Sequence, residues 1–327
     1  MLIAMFGAVE SGIIYAIMAL GVYLTFRILD FPDLTVDGSF VTGGAVAAIS
    51  IINGVPPAIA TIFAIGAGFL AGCITGLLHT KGKINALLAG ILMMTALYSI
   101  NLRIMDTPTL SLLNETTIFT QLQTIWGNTG VDQALNGLLT AMGADRLPST
   151  WAFLLVMLVI TITLKLVTDF YLKTEIGLAL RAIGDNKRMI RSLSANTDNL
   201  TIIGVGISNG LVALAGALIA QLGGFADVGM GIGMIVIGLA SVIIGEALFG
   251  TKTVARATIA VIGGAIIYRM IVTVALRFDF VETGDMKLMT ALIVIAALIT
   301  PKIVHARKEK QRRLQKRAQL HQHAKGA

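Results

Sequence analysis

Charge is scarce in this chain. Only 13% of its 327 residues are charged, 56% are hydrophobic, and the mean hydropathy is +0.84. Soluble domains carry about 25% charged residues, so a soluble enzyme is excluded. A length that would suit two soluble domains at about 150 residues each reads instead as one bundle of membrane-spanning helices. The one cysteine, Cys73, sits in an apolar run, which excludes a disulfide framework and a thiolate metal site. The four histidines (His79, His305, His321 and His323) fall at a helix end or in the tail. They form no His-Glu-x-x-His pair, and no Gly-x-Ser-x-Gly elbow is present. The nearest thing to a phosphate loop is Gly245-Glu246-Ala247-Leu248-Phe249-Gly250-Thr251-Lys252-Thr253. It has one residue too many before the lysine and closes a membrane helix instead of following a strand. The sequence therefore predicts no catalytic residue, metal or cofactor in this chain, and assigns any use of ATP and Mg to a partner.

What charge there is has been segregated. From Lys302 to Lys325 the tail holds nine Lys or Arg against Glu309 alone, while the rest carries 16 basic and 17 acidic residues. The formal net charge of +7 thus belongs to the tail. A polybasic segment after a membrane helix holds that end in the cytoplasm and suits contact with anionic lipid. Without interleaved aromatics or a nucleic-acid motif, it does not predict nucleic-acid binding.

Spanning about 30 Å of hydrocarbon takes about 20 apolar residues. Such runs occupy roughly 2–27, 57–79, 84–104, 150–171, 200–221, 228–249, 255–276 and 286–304. The first has no basic lead and reads as a retained helix, not a cleaved signal. A ninth run, 39–54, is short and follows the polar stretch Asp33-Leu34-Thr35-Val36-Asp37-Gly38-Ser39. That combination predicts a broken second crossing, a geometry tolerated at membrane depth only against protein or a water-filled cavity. The expected fold is all-α: a polytopic bundle of about nine transmembrane segments, with the N-terminus outside and the C-terminus inside. This topology places twenty basic residues inside: Arg27, Lys81, Lys83, Lys165, Lys173, Arg181, Lys187, Arg188, Arg191, Lys252, Arg256 and the nine of the tail. Outside it places only Arg103, Arg146, Arg277 and Lys287, a strong inside bias. Residues 1–304 make the membrane domain and 305–327 the cytoplasmic tail. An outer loop, about 105–149, is expected to form short surface helices such as 131–142.

Gly68, Gly72 and Gly76 recur every four residues, which predicts close approach of a neighbouring helix. Gly223, Gly224, Gly229, Gly231 and Gly233 crowd the start of the seventh crossing. Three charges lie inside apolar runs, Glu10, Glu246 and Arg269, and intramembrane charge is a functional candidate by default. Each could also snorkel or pair with a neighbouring helix. The inner loop, about 172–199, begins with an apolar set (Ile176, Leu178, Ala179, Leu180, Ala182, Ile183) and continues through Gly184-Asp185-Asn186 into a basic segment. This pattern predicts a short surface helix, a break, and a second segment.

Here a resemblance enters. Gly177-Leu178-Ala179-Leu180-Arg181-Ala182-Ile183-Gly184, Asn209-Gly210-Leu211-Val212-Ala213-Leu214-Ala215-Gly216-Ala217 and Gly238-Leu239-Ala240-Ser241-Val242-Ile243-Ile244-Gly245-Glu246 resemble the membrane permeases of bacterial ABC importers of the branched-chain amino acid and ribose type. The polar stretch 33–39 looks like the subgroup paired with tryptophan- or tyrosine-binding lipoproteins. The resemblance covers about residues 5–305. It implies an inner-membrane permease that dimerises around a central pathway, binds two cytosolic ATPase subunits, and receives an amino acid from an extracytoplasmic lipoprotein. It further implies that Glu175, Gly177, Leu180, Arg181, Ala182, Gly184, Asp185 and Asn186 form the coupling helix. Asp33, Thr35, Asp37, Gly38, Ser39 and Asn209 would line or gate the pathway. The other reading of the residues is an ion-coupled transporter or channel without an ATPase, using Glu10, Glu246 or Arg269.

Overall fold

The computed structural model describes residues 2–127, 130–141, 150–192, 196–276, 288–296 and 299. Among them, seven helices are long and apolar enough to cross a membrane. These are α1 (Leu2–Tyr23, continued by a π-helical turn, Leu24–Ile28), α2 (Thr35–Ile52), α3 (Pro57–Thr80), α4 (Ala86–Met105), α7 (Ala152–Lys173), α9 (Thr197–Gly223) and α11 (Val254–Ala275). The amphipathic α5 (Ile118–Gly127) and α6 (Val131–Ala141) lie between α4 and α7, and α8 (Glu175–Ser192) lies between α7 and α9. The apolar helix α10 (Met234–Phe249) has sixteen residues. Of the run 286–304, a helical stretch over 288–296 is described, and Tyr268 Oη donates to Thr290 there (3.0 Å). The basic tail lies outside the described residues.

α9 is the hub. It packs on α1, α2 and α3, while α11 packs on α1 and α10. In α2 and α9, 72% of the most apolar stretch is buried, against 28% in α4 and α7, whose large apolar side chains face outward as lipid contact demands. The Gly68/Gly72/Gly76 stripe does what its spacing predicts. Added Cβ atoms would lie 2.5 Å from Asn209 O, 2.4 Å from Val205 O and 2.7 Å from Ile202 Cα of α9. α10 and α11 are keyed in the same way, Gly245 against Ala260 O and Gly264 against Ser241 O.

Two features depart from expectation. The second helix, at eighteen residues, is the shortest of the seven spans but longer than its apolar run. It starts at Thr35, four residues before the apolar run, because the Asp33 carboxylate accepts from the Thr35 N–H (2.9 Å) and opens the helix locally. The short element is α10, which begins at Met234, well after position 228. The segment before it runs down the flank of α2: Ala226 and Val228 cluster with Ala48 and Ile51, Met230 meets Gly44, and Gly231 meets the backbone of Asp37. Gly233 then takes φ +89°, a left-handed conformation open to glycine, and only there does the helix begin. α10 thus starts part-way down the bundle, beside the first turn of α2. A further element is a two-stranded antiparallel ribbon, β1 (Thr109–Ser111) on β2 (Phe225–Asp227), in register Leu110↔Ala226. It ties the α4 end to the α9 end. Strands of three residues carry too little periodicity to be seen in sequence.

Candidate functional site

The residues singled out in the inner loop lie on α8, at one end of the bundle. As the Gly-Asp-Asn spacing predicts, α8 is two helices: Asn186 departs from helical geometry (φ −153°, ψ 87°), and its Oδ1 accepts from the Met189 N–H (3.1 Å) to start the second. Gly177, Leu180, Ile183 and Ile190 form the buried face, with Leu180, Ile183 and Ile190 packed among Tyr23, Leu24, Ile28, Leu29 and Phe31. Glu175, Ile176, Leu178, Arg181, Asp185 and Asn186 are exposed, and Ala182 and Gly184 are half-buried. The eight residues singled out in sequence therefore divide. Gly177 and Leu180 seat the helix, Asn186 breaks it, and the others form its outer surface or one wall of a cavity. Gly177 is required by proximity, since a Cβ would lie 2.1 Å from Tyr171 O.

That cavity, of about 770 Å³, is lined by Arg181, Ala182, Gly184 and Asp185 of α8, by Tyr23, Phe26, Arg27 and Asp30, and by Glu246 and the Thr251–Val254 loop. Across its wall Arg27 and Glu246 form a bidentate ion pair: Nε donates to Oε1 (2.8 Å) and Nη2 to Oε2. Glu246 is thus not a lone charge in an apolar run. Arg269 also has partners, donating to Ser11 Oγ (3.2 Å) and lying 4.8 Å from the centre of the Tyr15 ring. Glu10 is half-buried and makes no hydrogen bond or ion pair among the described residues. Sequence reasoning missed a buried charge pair. Lys165 and Asp169, one turn apart on α7, are both buried and paired at 2.5 Å, and Thr258 of α11 donates to Asp169 (2.7 Å). A Lys and an Asp at i, i+4 inside an apolar run was the available signal.

The polar stretch 33–39 is enclosed in this conformation. Asp33, Thr35, Ser39 and Asn209 have no exposed surface. Asn209 of α9 donates from Nδ2 to Asp33 Oδ2 (2.6 Å), and Thr35 shares a hydrogen bond with Thr75 of α3 (2.8 Å). Asp37 turns across to α10, where its carboxylate accepts from the Gly233 N–H (2.9 Å) and the Ile235 N–H (2.8 Å). Gly38 sits against Leu97 of α4, and its carbonyl accepts from Asn101 (3.3 Å). The structure thus brings Asp33 together with Asn209 and Thr35, and sends Asp37 elsewhere.

The described residues thus form a helical bundle with a keyed interior and a two-part amphipathic helix at one end. The family described as branched-chain amino acid transport system, permease component, matches residues 4–299, and the chain belongs to it. It is a multi-pass inner-membrane protein of bacterial type, and its family members are components of transport systems, not enzymes. It is 42% identical over 290 residues to the tyrosine transport system permease protein of Clostridioides difficile, covering 89% of this chain and 88% of that one. It is also 37% identical over 242 residues to an uncharacterized protein of Rickettsia prowazekii, covering 74% of this chain and 76% of that one. No solved structure matches it.

Proposed function

We propose that this chain is the membrane subunit of an ATP-driven importer of aromatic amino acids, tyrosine foremost. It works as two copies around a shared pathway, with two cytosolic ABC ATPase subunits and an extracytoplasmic substrate-binding lipoprotein. ATP and Mg bind the ATPases. The observation that carries this reading is α8. Its seat on the bundle is apolar and buried, while Ile176 and Leu178 project with 49% and 51% of their surface exposed, at the end that also holds Lys81, Lys83, Lys173 and Lys252. A rigid amphipathic knob with apolar outward residues at a basic, cytoplasm-facing end is suited to receive a partner's push. The 42% identity to a permease named for tyrosine supports the substrate class.

In this reading the bundle makes nine crossings, with α10 as the seventh and the helix containing 288–296 as the ninth. The N-terminus lies outside, and the tail 305–327 lies in the cytoplasm against anionic lipid. Asp33, Thr35, Asp37, Gly38, Ser39 and Asn209 gate the pathway from behind its wall, closed here and exchanged for other partners when α8 moves. Ion coupling is the weaker reading, because two of its three charges, Glu246 and Arg269, are engaged with Arg27 and with Ser11 and Tyr15, which leaves Glu10 alone to carry it. Purification of the tagged chain in mild detergent tests the reading, followed by tyrosine uptake in vesicles. A stoichiometric ATPase is expected to co-purify, and uptake is expected to stop when that ATPase is made unable to hydrolyse ATP. Uptake that continues would overturn the proposal.

A further inference from the structure

One ion pair joins α8's seat to the helix that starts part-way down the bundle. α1 is α-helical to Tyr23 and then winds wider into the π turn Leu24–Ile28, a geometry that is rare and concentrates at functional sites. Arg27 is carried on that turn. α8 rests directly on its backbone, since a Cβ on Gly184 would fall 2.1 Å from Ile28 O and 3.1 Å from the carbonyl carbon of Leu29. Ile28 and Leu29 also share one apolar cluster with Leu180 and Ile183 of α8. α8 therefore has no slack against residues 28 and 29, and its displacement moves the turn. The Arg27 guanidinium grips Glu246, in the last turn of α10, through two of its nitrogens. The Glu246 side chain is 12% exposed and that of Arg27 57%, so the contact is anchored on the Glu246 side and takes its direction from the planar fork-to-carboxylate geometry. At its other end α10 begins on the Asp37 carboxylate of α2.

We propose that Arg27 and Glu246 are the joint through which movement of α8 reaches α10, and through Asp37 the polar first turn of α2. Both are positioning residues, and neither is assigned contact with substrate. The proposal rests on the reading of α8 as the receiver of the ATPase stroke. Glu246 thus has a role other than moving an ion, and Arg27 has one that its place at a helix end does not reveal.

The test uses the whole importer, permease with ATPase and binding protein, reconstituted in vesicles and supplied with tyrosine. Its readout is the stimulation of ATP hydrolysis by the loaded binding protein. Arg27→Gln and Glu246→Gln are each expected to cut that stimulation about tenfold, the scale on which coupling residues act, with the ATPase still co-purifying in normal amount. The exchanged pair, Arg27→Glu with Glu246→Arg, is expected to recover most of the loss, which a damaged fold would not do. Full stimulation in either single variant overturns the proposal. So does an exchanged pair no better than the singles, or loss of the ATPase from the single variants, which would make the pair part of the docking face. If the unaltered chain binds no ATPase, the importer reading itself fails, and it does so before any variant is made.

Discussion

α2 and α10 both begin on an aspartate, but the two aspartates stand in opposite relations to their helices. Asp33 opens α2 from two residues away, accepting the Thr35 N–H. Asp37 opens α10 from another helix, accepting N–H groups 196 and 198 residues along the chain. The first arrangement is a local cap that any short segment can make alone. The second exists only once the bundle has packed, so it reports on tertiary structure. A helix that begins inside a membrane bundle has no water to satisfy its first N–H groups, and here the fold supplies the acceptor from a neighbour. α10 therefore depends on α2 for its start, while α2 does not depend on α10 for its own.

Variants that disturb these two starts separate the roles. Gly38 directly follows Asp37 on α2, and its Cβ would fall 2.8 Å from Leu97 Cδ1. Gly38→Leu should have the largest effect on transport, lowering tyrosine uptake by at least about tenfold, since overpacking of this kind costs about 1–3 kcal/mol or more. Uptake assayed beside ATPase co-purification checks this, and uptake at the normal level would remove the stretch from the pathway. Next, Asp37→Ala should cost about 3 kcal/mol through two orphaned N–H groups, read as a lower midpoint of thermal inactivation in detergent. Asp37→Asn should retain about half of that by keeping one acceptor. If Asp37→Ala costs no more than a surface substitution, the cross-helix start is dispensable.

Asp33→Ala should cost about 2 kcal/mol, because it strips the partners of the Thr35 N–H and the Asn209 amide. Asp33→Asn should be nearly neutral, within about 1 kcal/mol, because an uncharged amide keeps the bond from Thr35 and sheds the burden of a buried charge. Asn209 Oδ1, which has no hydrogen-bond partner, can then turn to meet the new N–H. The thermal midpoint in detergent checks both, and an Asp33→Asn midpoint as low as that of Asp33→Ala would mean that the carboxylate itself is needed there.

Much of the fold could be read from the sequence, and the reasons differ by element. The long spans follow from apolar length, the break in α8 from Gly184-Asp185-Asn186, and the α3–α9 contact from glycine at every fourth position. Each signal is local, because it depends on residues within one or two turns. The late start of α10 and the Arg27–Glu246 pair depend on partners about two hundred residues away, and one chain without its relatives carries no trace of such pairing. The shortness of α10 escapes the sequence for the same reason: apolar length sees the run 228–249 but not the Asp37 carboxylate at the point where the helix begins. Lys165–Asp169 is a different case. Its spacing was in plain view, and counting Lys165 toward topology hid its burial.

The glycine contacts divide the subunit mechanically. Backbone meets backbone where α3 lies on α9, where α2 crosses α9 with Gly216 against Phe40 O, and where α10 lies on α11. Helices keyed this closely cannot slide or roll past one another without clashing, so α2, α3 and α9 behave as one block and α10 and α11 as a second. α1 touches both, with Gly21 against Ser208 O of α9 and Gly12 against Ile266 Cα of α11. It bridges the two blocks, and its final turn, wound wider than the rest, is the part against which α8 rests.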